Sequence, residues 1–158
     1  MVFRGIHTVN MDAKGRMAMP TRYRDAFVYK NQQNENQSQL IATVDIQSPC
    51  LLIYPFADWL KIEEKLQGLP ALNPSSRRLQ RLMLGYASEI ELDANGRMLV
   101  PPALREYAAF EKKLVLVGQG NKFELWSEAN WSKETEQAIS EALSGDLDIP
   151  LDVQDIVL

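Results

Sequence analysis

The stretch "DAKGRMAMP", Asp12–Pro20, recurs as "DANGRMLVP", Asp93–Pro101, and this recurrence decides how the chain is read. At an offset of 81 the match widens to Phe3–Arg24 over Leu84–Arg105, placing Val9 on Ile90, Gly15 on Gly96, Arg16 on Arg97, Pro20 on Pro101 and Arg24 on Arg105. A second match, "LLIYPFADW" over "FELWSEANW" at an offset of 72, pairs Tyr54 with Trp126 and Trp59 with Trp131. The two offsets agree if the polar tract "NQQNENQSQ", Asn31–Gln39, is an insertion in the first copy that forms a mobile loop. Repetition of this kind marks a fold built by duplication.

Each copy has the same expected layout. An alternating strand, Phe3–Met11 or Leu84–Leu92, enters a D-x-x-G-R turn and leaves it as a short strand ending at proline. Asp12 and Asp93 can accept hydrogen bonds from amides further along the turn, while Gly15 and Gly96 supply the positive φ that closes it. Pro20 and Pro101 end the strand and start a helix, "TRYRDAFVYK" or "PALREYAAF". Two more strands follow in each copy, Leu40–Asp45 with Leu51–Tyr54 and Leu114–Gly118 with Lys122–Trp126.

Helices are expected at Ala57–Leu66, at Pro74–Leu84 with Asn73 as N-cap, and from a Ser127 cap to about Leu143, with Trp131, Ala138 and Leu143 as core contacts. The segment "SGDLDIPLDVQDIVL" alternates acidic and apolar residues, and admits both a disordered tail and a segment that docks on a neighbour. The expected divisions are 6–54 and 83–126 for the repeats, 55–82 for a helical connector, and 127–158 for the last helix and tail. Two small β units with exposed edges bury more by interleaving than by folding apart. The expected fold is therefore mainly β with flanking helices, an α+β class with one pseudo-twofold, barrel-like body.

The composition suits such a body. Of 158 residues, 46% are apolar and 24% charged, and no apolar run reaches the ~20 residues that a bilayer requires. Charges interrupt the N-terminal apolar residues as no secretory signal does, so a cytoplasmic location is expected. One cysteine, Cys50 in "CLLIY", and one histidine, His7, form no recognised metal-ligand spacing, so no metal is expected. No nucleophile–base pair, phosphate-cradling glycine loop or CxxC pair is present, which argues against an enzyme, a cofactor or a small-molecule substrate. The net charge of -4 is divided unevenly: residues 1–30 sum to +4, whereas Glu124–Leu158 carries nine carboxylates against Lys133 alone. Phosphate responds to the local field, so the acidic total does not exclude nucleic acid.

Strand alternation separates two faces. In copy one, Phe3, His7, Val9, Met11, Met17 and Met19 form a core face; Arg4, Ile6, Thr8, Asn10, Arg16 and Ala18 form a wet one, with Lys14 at the tip. In copy two the wet face is Gly85, Ala87, Glu89, Glu91, Arg97 and Leu99, and has turned acidic. The first set offers cations and neutral hydrogen-bonding groups to a DNA groove, which a two-stranded ribbon fits. The second would meet phosphate with Glu89 and Glu91, so Arg97 is expected to pair with Glu89, Glu91 or Asp93. Arg16 can equally pair with Asp12 across its own turn. Arg77, Arg78 and Arg81 read as a solvated helix face, and Trp59 and Trp131 as core anchors.

The segments "FRGIHTVNMDAKGRMAMPTRYR", "DIQSPCLLIYP", "RRLQRLMLGYASEIELDANGRMLVPPALR" and "LVGQGNKFELW" together resemble the bacterial MraZ family, over about residues 1–135. The resemblance implies a duplicated SpoVT-AbrB-like swapped-hairpin or double-ψ barrel and ring-shaped oligomers, often octamers. It further implies a cytoplasmic, nucleoid-associated transcriptional regulator without cofactor, usually a repressor. Such a regulator binds repeated G-rich boxes in double-stranded DNA upstream of the division and cell-wall gene cluster that begins with its own gene. The expected DNA contacts are Arg16 to guanine, Arg4, Lys14, Arg22 and Arg24 to phosphate, and Thr8 and Asn10 to either. Asp12, Gly15, Asp93, Gly96 and Arg97 are the expected structural turn residues. The competing expectation is an oligomeric structural or protein-interaction barrel that does not read DNA.

Overall fold

In the computed structural model, which describes residues 2–31, 40–150, 153 and 156, the strands sort by how their residues are buried. β3 (Leu40–Val44) and β4 (Leu51–Pro55) are buried at every position, and β7 (Lys113–Gly118) is buried from Leu114 to Val117. Such apolar runs suit strands covered on both faces. β1 (Ile6–Asn10) instead alternates exposed with half-buried residues, as a strand with one wet face does. With β5 (Ser88–Ile90) and β8 (Phe123–Ser127), these form a six-stranded sheet in the order β1-β7-β8-β4-β3-β5. The remaining strands, β2 (Arg16–Ala18) and β6 (Arg97–Leu99), form a separate two-stranded ribbon.

The order reads the same from either end once the copies are exchanged. Strand β1 of the first copy pairs with β7 of the second, and β5 of the second pairs with β3 of the first. Strand β4 pairs with β8, and β2 with β6. The expected interleaving is thus present, and the mainly β, α+β class holds. Two local expectations differ. The hairpin within copy one closes only at its tip, in the single bridge Met11–Met17, because β2 gives its ladder to β6 and so sets Met17 against Met98 in the shared core. The sheet also remains open: among the described residues no ladder joins its end strands β1 and β5, so the barrel is not closed.

Strand β5 is shorter than the expected Leu84–Leu92. The amides of Gly85 and Tyr86 are still bonded to Arg81 and Leu82, completing the end of α3 (Pro74–Met83), whose first turn Asn73 caps through the Ser75 and Ser76 amides. At its other end, Ile90 faces Leu40, the residue after the expected Asn31–Gln39 insertion, of which 32–39 lie outside the described residues.

The sheet carries two cores. On one face Phe3, Met17, Met19, Tyr23, Phe27, Met98, Leu104 and Phe123 are buried together, drawn from the ribbon and its flank, α1 (Thr21–Asn31), α4 (Pro102–Tyr107), β8 and the segment before β1. On the other, Ile41, Leu52 and Tyr54 pack with Trp59 and Leu66 of α2 (Phe56–Gln67), with Leu79 and Met83 of α3 against them. Each fully buried apolar side chain contributes about 1.5–3 kcal/mol. Trp59, 2% exposed, is the anchor the sequence promised.

Met1–Glu128 form one compact unit and Ala129–Leu158 a second. Helix α5 (Glu128–Ser144), which supplies most of the second, has no buried residue, and Leu143 is 84% exposed. The expected core role of Ala138 and Leu143, both exposed, therefore fails, and Trp131 is half-buried and not a fully buried anchor. Leu143 falls about 120° around the helix from Trp131, and the stripe below Trp131 holds only Thr135, Ala138 and Ala142, which have little apolar area to bury.

Candidate nucleic-acid interface

The two D-x-x-G-R turns are built alike. In the first, Asp12 Oδ1 accepts hydrogen bonds from the amides of Lys14 and Arg16, both at 2.9 Å, while Oδ2 accepts one from Arg16 Nε at 3.1 Å. In the second, Asp93 Oδ1 accepts from the amides of Asn95 at 2.8 Å and Arg97 at 2.9 Å, and Oδ2 from Arg97 Nε at 3.2 Å. Gly15 at φ +89° and Gly96 at φ +73° close the turns, in a region that side chains with a Cβ disfavour. The backbone amide of each arginine, first among several donors, holds the turn aspartate below its ordinary carboxylate pKa. Arg97 pairs with Asp93 as expected, and the open alternative for Arg16 resolves to the same pair with Asp12.

That pairing leaves Arg16 displayed. The ribbon sets Arg16 across from Leu99 and Ala18 across from Arg97, so these four share one face, while Met17 and Met98 point the other way into the core. Arg16 and Arg97 are only half-buried, with side chains 36% and 38% exposed. Around the first turn, Arg4, Ile6, Thr8, Asn10 and Lys14 are all exposed. Lys113, exposed at the start of β7, stands opposite Asn10 and adds a cation from the second copy that the sequence reading did not include. Glu89 and Glu91 are exposed beside the second turn, so the charge contrast around the two turns is present, but the expected wet faces are not separate: the ribbon brings Arg16 and Arg97 to one face, and Ala87 packs against the second core.

The helical arginines diverge. Arg22 is exposed, with its guanidinium 4.7 Å above the Tyr23 ring. Arg24 is half-buried, donates from Nε to the Met19 carbonyl at 2.7 Å, and lies against Gly96 of the second turn. Arg105, its counterpart in copy two, lies against Gly15 of the first. The sequence reading assigned Arg105 no role. A groove of about 390 Å³ beside the first turn is lined by Met11, Asp12, Ala13, Arg105, Glu111 and Lys112.

His7 faces inward, half-buried, and its Nε2 lies 2.8 Å from Tyr23 Oη, whose hydroxyl donates to the Arg4 carbonyl. The tyrosine proton being committed, Nε2 is the donor of that pair. Cys50 is buried, with Sγ 3.6 Å from Asp45 Oδ2, and ligand-type atoms of Asp45, Cys50 and Glu124 lie within 4.8 Å of one another. Burial, then Asp45 and Glu124, pushes the Tyr54 hydroxyl pKa up to about 12. Among the described residues no helix is long and apolar enough to cross a membrane.

The fold and site define a class: a duplicated domain whose copies exchange strands and present two equivalent Asp–Arg turns on one ribbon. The sequence pattern of one family, described as MraZ protein and antitoxin-like, matches residues 2–82 and again 83–148. Similar relatives include the transcriptional regulator MraZ of Halorhodospira halophila, 45% identical over 157 residues, covering 99% of this chain and 100% of that one. Those of Hydrogenovibrio crunogenus, 49% identical over 147 residues and 93% of each chain, and Shewanella sediminis, 53% over 137 residues and 87% of each, also align. The chain belongs to the MraZ family.

Proposed function

We propose that this chain is a transcriptional regulator that binds double-stranded DNA through the face built around its first D-x-x-G-R turn. The observation that carries the reading is the fixed guanidinium of Arg16. Asp12 holds its Nε at 3.1 Å, and Arg16 sits at the outward side of a two-stranded ribbon. A carboxylate that fixes one edge of a guanidinium lowers the entropy lost when the other edge meets the O6 and N7 of guanine. Structural pairing and base reading therefore belong to one arrangement. Thr8 and Asn10 supply neutral groups beside it; Arg4, Lys14 and Arg22 supply phosphate contacts, and Arg24 adds positive charge while bracing the second turn. The relatives' shared name, transcriptional regulator MraZ, supports the same reading.

One such face binds weakly, with nonspecific affinities of roughly 10⁻⁴–10⁻⁶ M at physiological salt. A ring of copies, an octamer in the family pattern, would make the later contacts intramolecular and raise avidity by about 10²–10⁴-fold if repeated G-rich boxes match the subunit spacing. We infer a cytoplasmic, nucleoid-associated repressor of the division and cell-wall gene cluster that includes its own gene. Titrating the purified chain into its own upstream DNA, with scrambled DNA as control, tests this. Box-dependent retardation is expected; equal retardation of both DNAs would remove base readout and leave phosphate binding alone, and retardation of neither would leave the interaction-barrel reading.

The shared face of Arg16 and Arg97 favours a second reading, in which both arginines touch DNA and copy two contributes to base recognition directly.

A further inference from the structure

The two glycines of the turns are each covered by an arginine from the opposite copy. A Cβ built on Gly15 would lie 2.7 Å from Cζ of Arg105 and 2.9 Å from its Nε and Nη1, so the guanidinium rests on the bare face of the turn where only hydrogen fits. A Cβ on Gly96 would likewise overlap the guanidinium of Arg24. The backbone repeats the exchange: the Val100 amide donates to the Gly15 carbonyl at 2.8 Å, and the Met19 amide to the Gly96 carbonyl at 2.9 Å. Each turn is thus held from beneath by the strand end and helix of the other copy.

The two clamps are not equal. Arg24 Nε reaches the Met19 carbonyl at 2.7 Å, whereas Arg105 Nε is buried with no acceptor among the described residues. A buried donor without an acceptor is unfavourable. Contact with the turn, not a bond from Nε, is therefore what Arg105 gives. That contact uses the flat guanidinium, which lysine cannot imitate.

We propose that Arg105, on the second copy's α4, is a positioning residue for the DNA-reading turn of the first copy, setting the plane in which Arg16 meets its base without itself touching DNA. The proposal rests on the reading of that turn as the DNA reader. It gives the second copy, whose own wet face is acidic, a share in recognition by holding the turn beside Asp12, Gly15 and Arg16.

The test combines two measurements on the full chain. One is the NMR signal of the Arg16 Nε–H, which reports its bond to Asp12 without DNA; the other is affinity for the chain's own upstream DNA across a salt series. Arg105→Ala and Arg105→Lys are both expected to shift or broaden the Arg16 signal and to lower affinity about ten-fold, within the range of one guanidinium–guanine contact. The slope of log affinity against log salt should stay at the wild-type value, because no phosphate contact is removed. Arg24→Ala should disturb the Arg97 Nε–H signal and leave that of Arg16 in place. Wild-type affinity in Arg105→Lys with a shallower slope in Arg105→Ala would make residue 105 a direct phosphate contact and overturn the proposal. So would an unmoved Arg16 signal in either variant. If Arg105→Ala does not fold, Arg105→Lys carries both measurements. If the wild type binds no upstream DNA, the DNA reading fails, while the Arg16 signal still decides whether Arg105 sets the turn.

Discussion

The two D-x-x-G-R turns agree in every bonded feature and differ in almost everything around them. Both aspartates accept two amides and one guanidinium, both glycines have positive φ, and both arginines stand on one ribbon face. The surroundings diverge position by position: Arg4 against Gly85, Thr8 against Glu89, Asn10 against Glu91, Lys14 against Asn95 and Arg22 against Ala103. What the copies share is what a swapped body requires of any turn at that place. What they do not share is the charge and hydrogen-bonding capacity offered to a partner. Arg24 and Arg105 are also shared, and each lies against the turn glycine of the other copy.

The largest expected difference between the copies is in the core. Trp59→Ala should cost about 3–5 kcal/mol, as for other buried large side chains. Its repeat counterpart Trp131, only partly buried, should cost much less by thermal or denaturant unfolding. Equal losses would mean that α5 is covered in the assembled protein as fully as α2 is in the chain. Next comes recognition. Arg16→Ala should remove about 1–3 kcal/mol of DNA binding per engaged chain, enough across an oligomer to abolish operator retention, while Arg97→Ala should act mainly on stability or assembly. Equal loss of affinity in two folded, normally assembled variants would erase the asymmetry in favour of joint reading. Lys14→Ala should be milder, weakening binding to all sequences and lowering the salt slope by about one. An unchanged slope would take Lys14 out of phosphate contact.

The smallest difference concerns acid. The carboxylates of Asp12 and Asp93 have folded pKa values below the ordinary 3.8. Their contribution to the turns is accordingly complete above that value and lost as pH falls through the lowered one. Following the Arg16 and Arg97 Nε–H resonances on acidification should show both persisting to about pH 4 and fading together below it. If one turn melts well before the other, their likeness is only geometric.

Much of this was legible in the chain. The strands at Leu40–Asp45 and Leu51–Tyr54 were expected and are present as "LIATV" and "LLIYP", and the alternation of "IHTVN" marked a strand with one wet face. The inward and outward sets of the first copy emerged with the expected burial, from Phe3 and Met17 inside to Arg4 and Asn10 outside. Partner choice was not legible, because β2 could satisfy its ladder with β1 or with β6, and local pattern is silent between them. The deciding term is burial of Met17 against Met98, a contact far apart in sequence. Arg105 was missed for a related reason: the repeat register paired it with Arg24, yet only the fold reveals that each side chain reaches across to the other copy's glycine. The Leu143 expectation failed on helical geometry that a stricter count of residues per turn would have caught.

The pairing of β1 with β7 has a consequence for how the protein is made. The strand bearing Thr8 and Asn10 is made about a hundred residues before its partner, Lys113–Gly118. At ordinary translation rates the wait is roughly 5–20 s, during which β1 lacks its only ladder partner among the described residues. Pairing so distant in sequence is slow even afterwards, since loop closure precedes any gain from contact. A ribosome that stalls before Lys113 therefore holds a chain in which β1, with Thr8 and Asn10, is still without its ladder. The face that carries Thr8 and Asn10 is set in the sheet only when synthesis of the first unit is essentially finished.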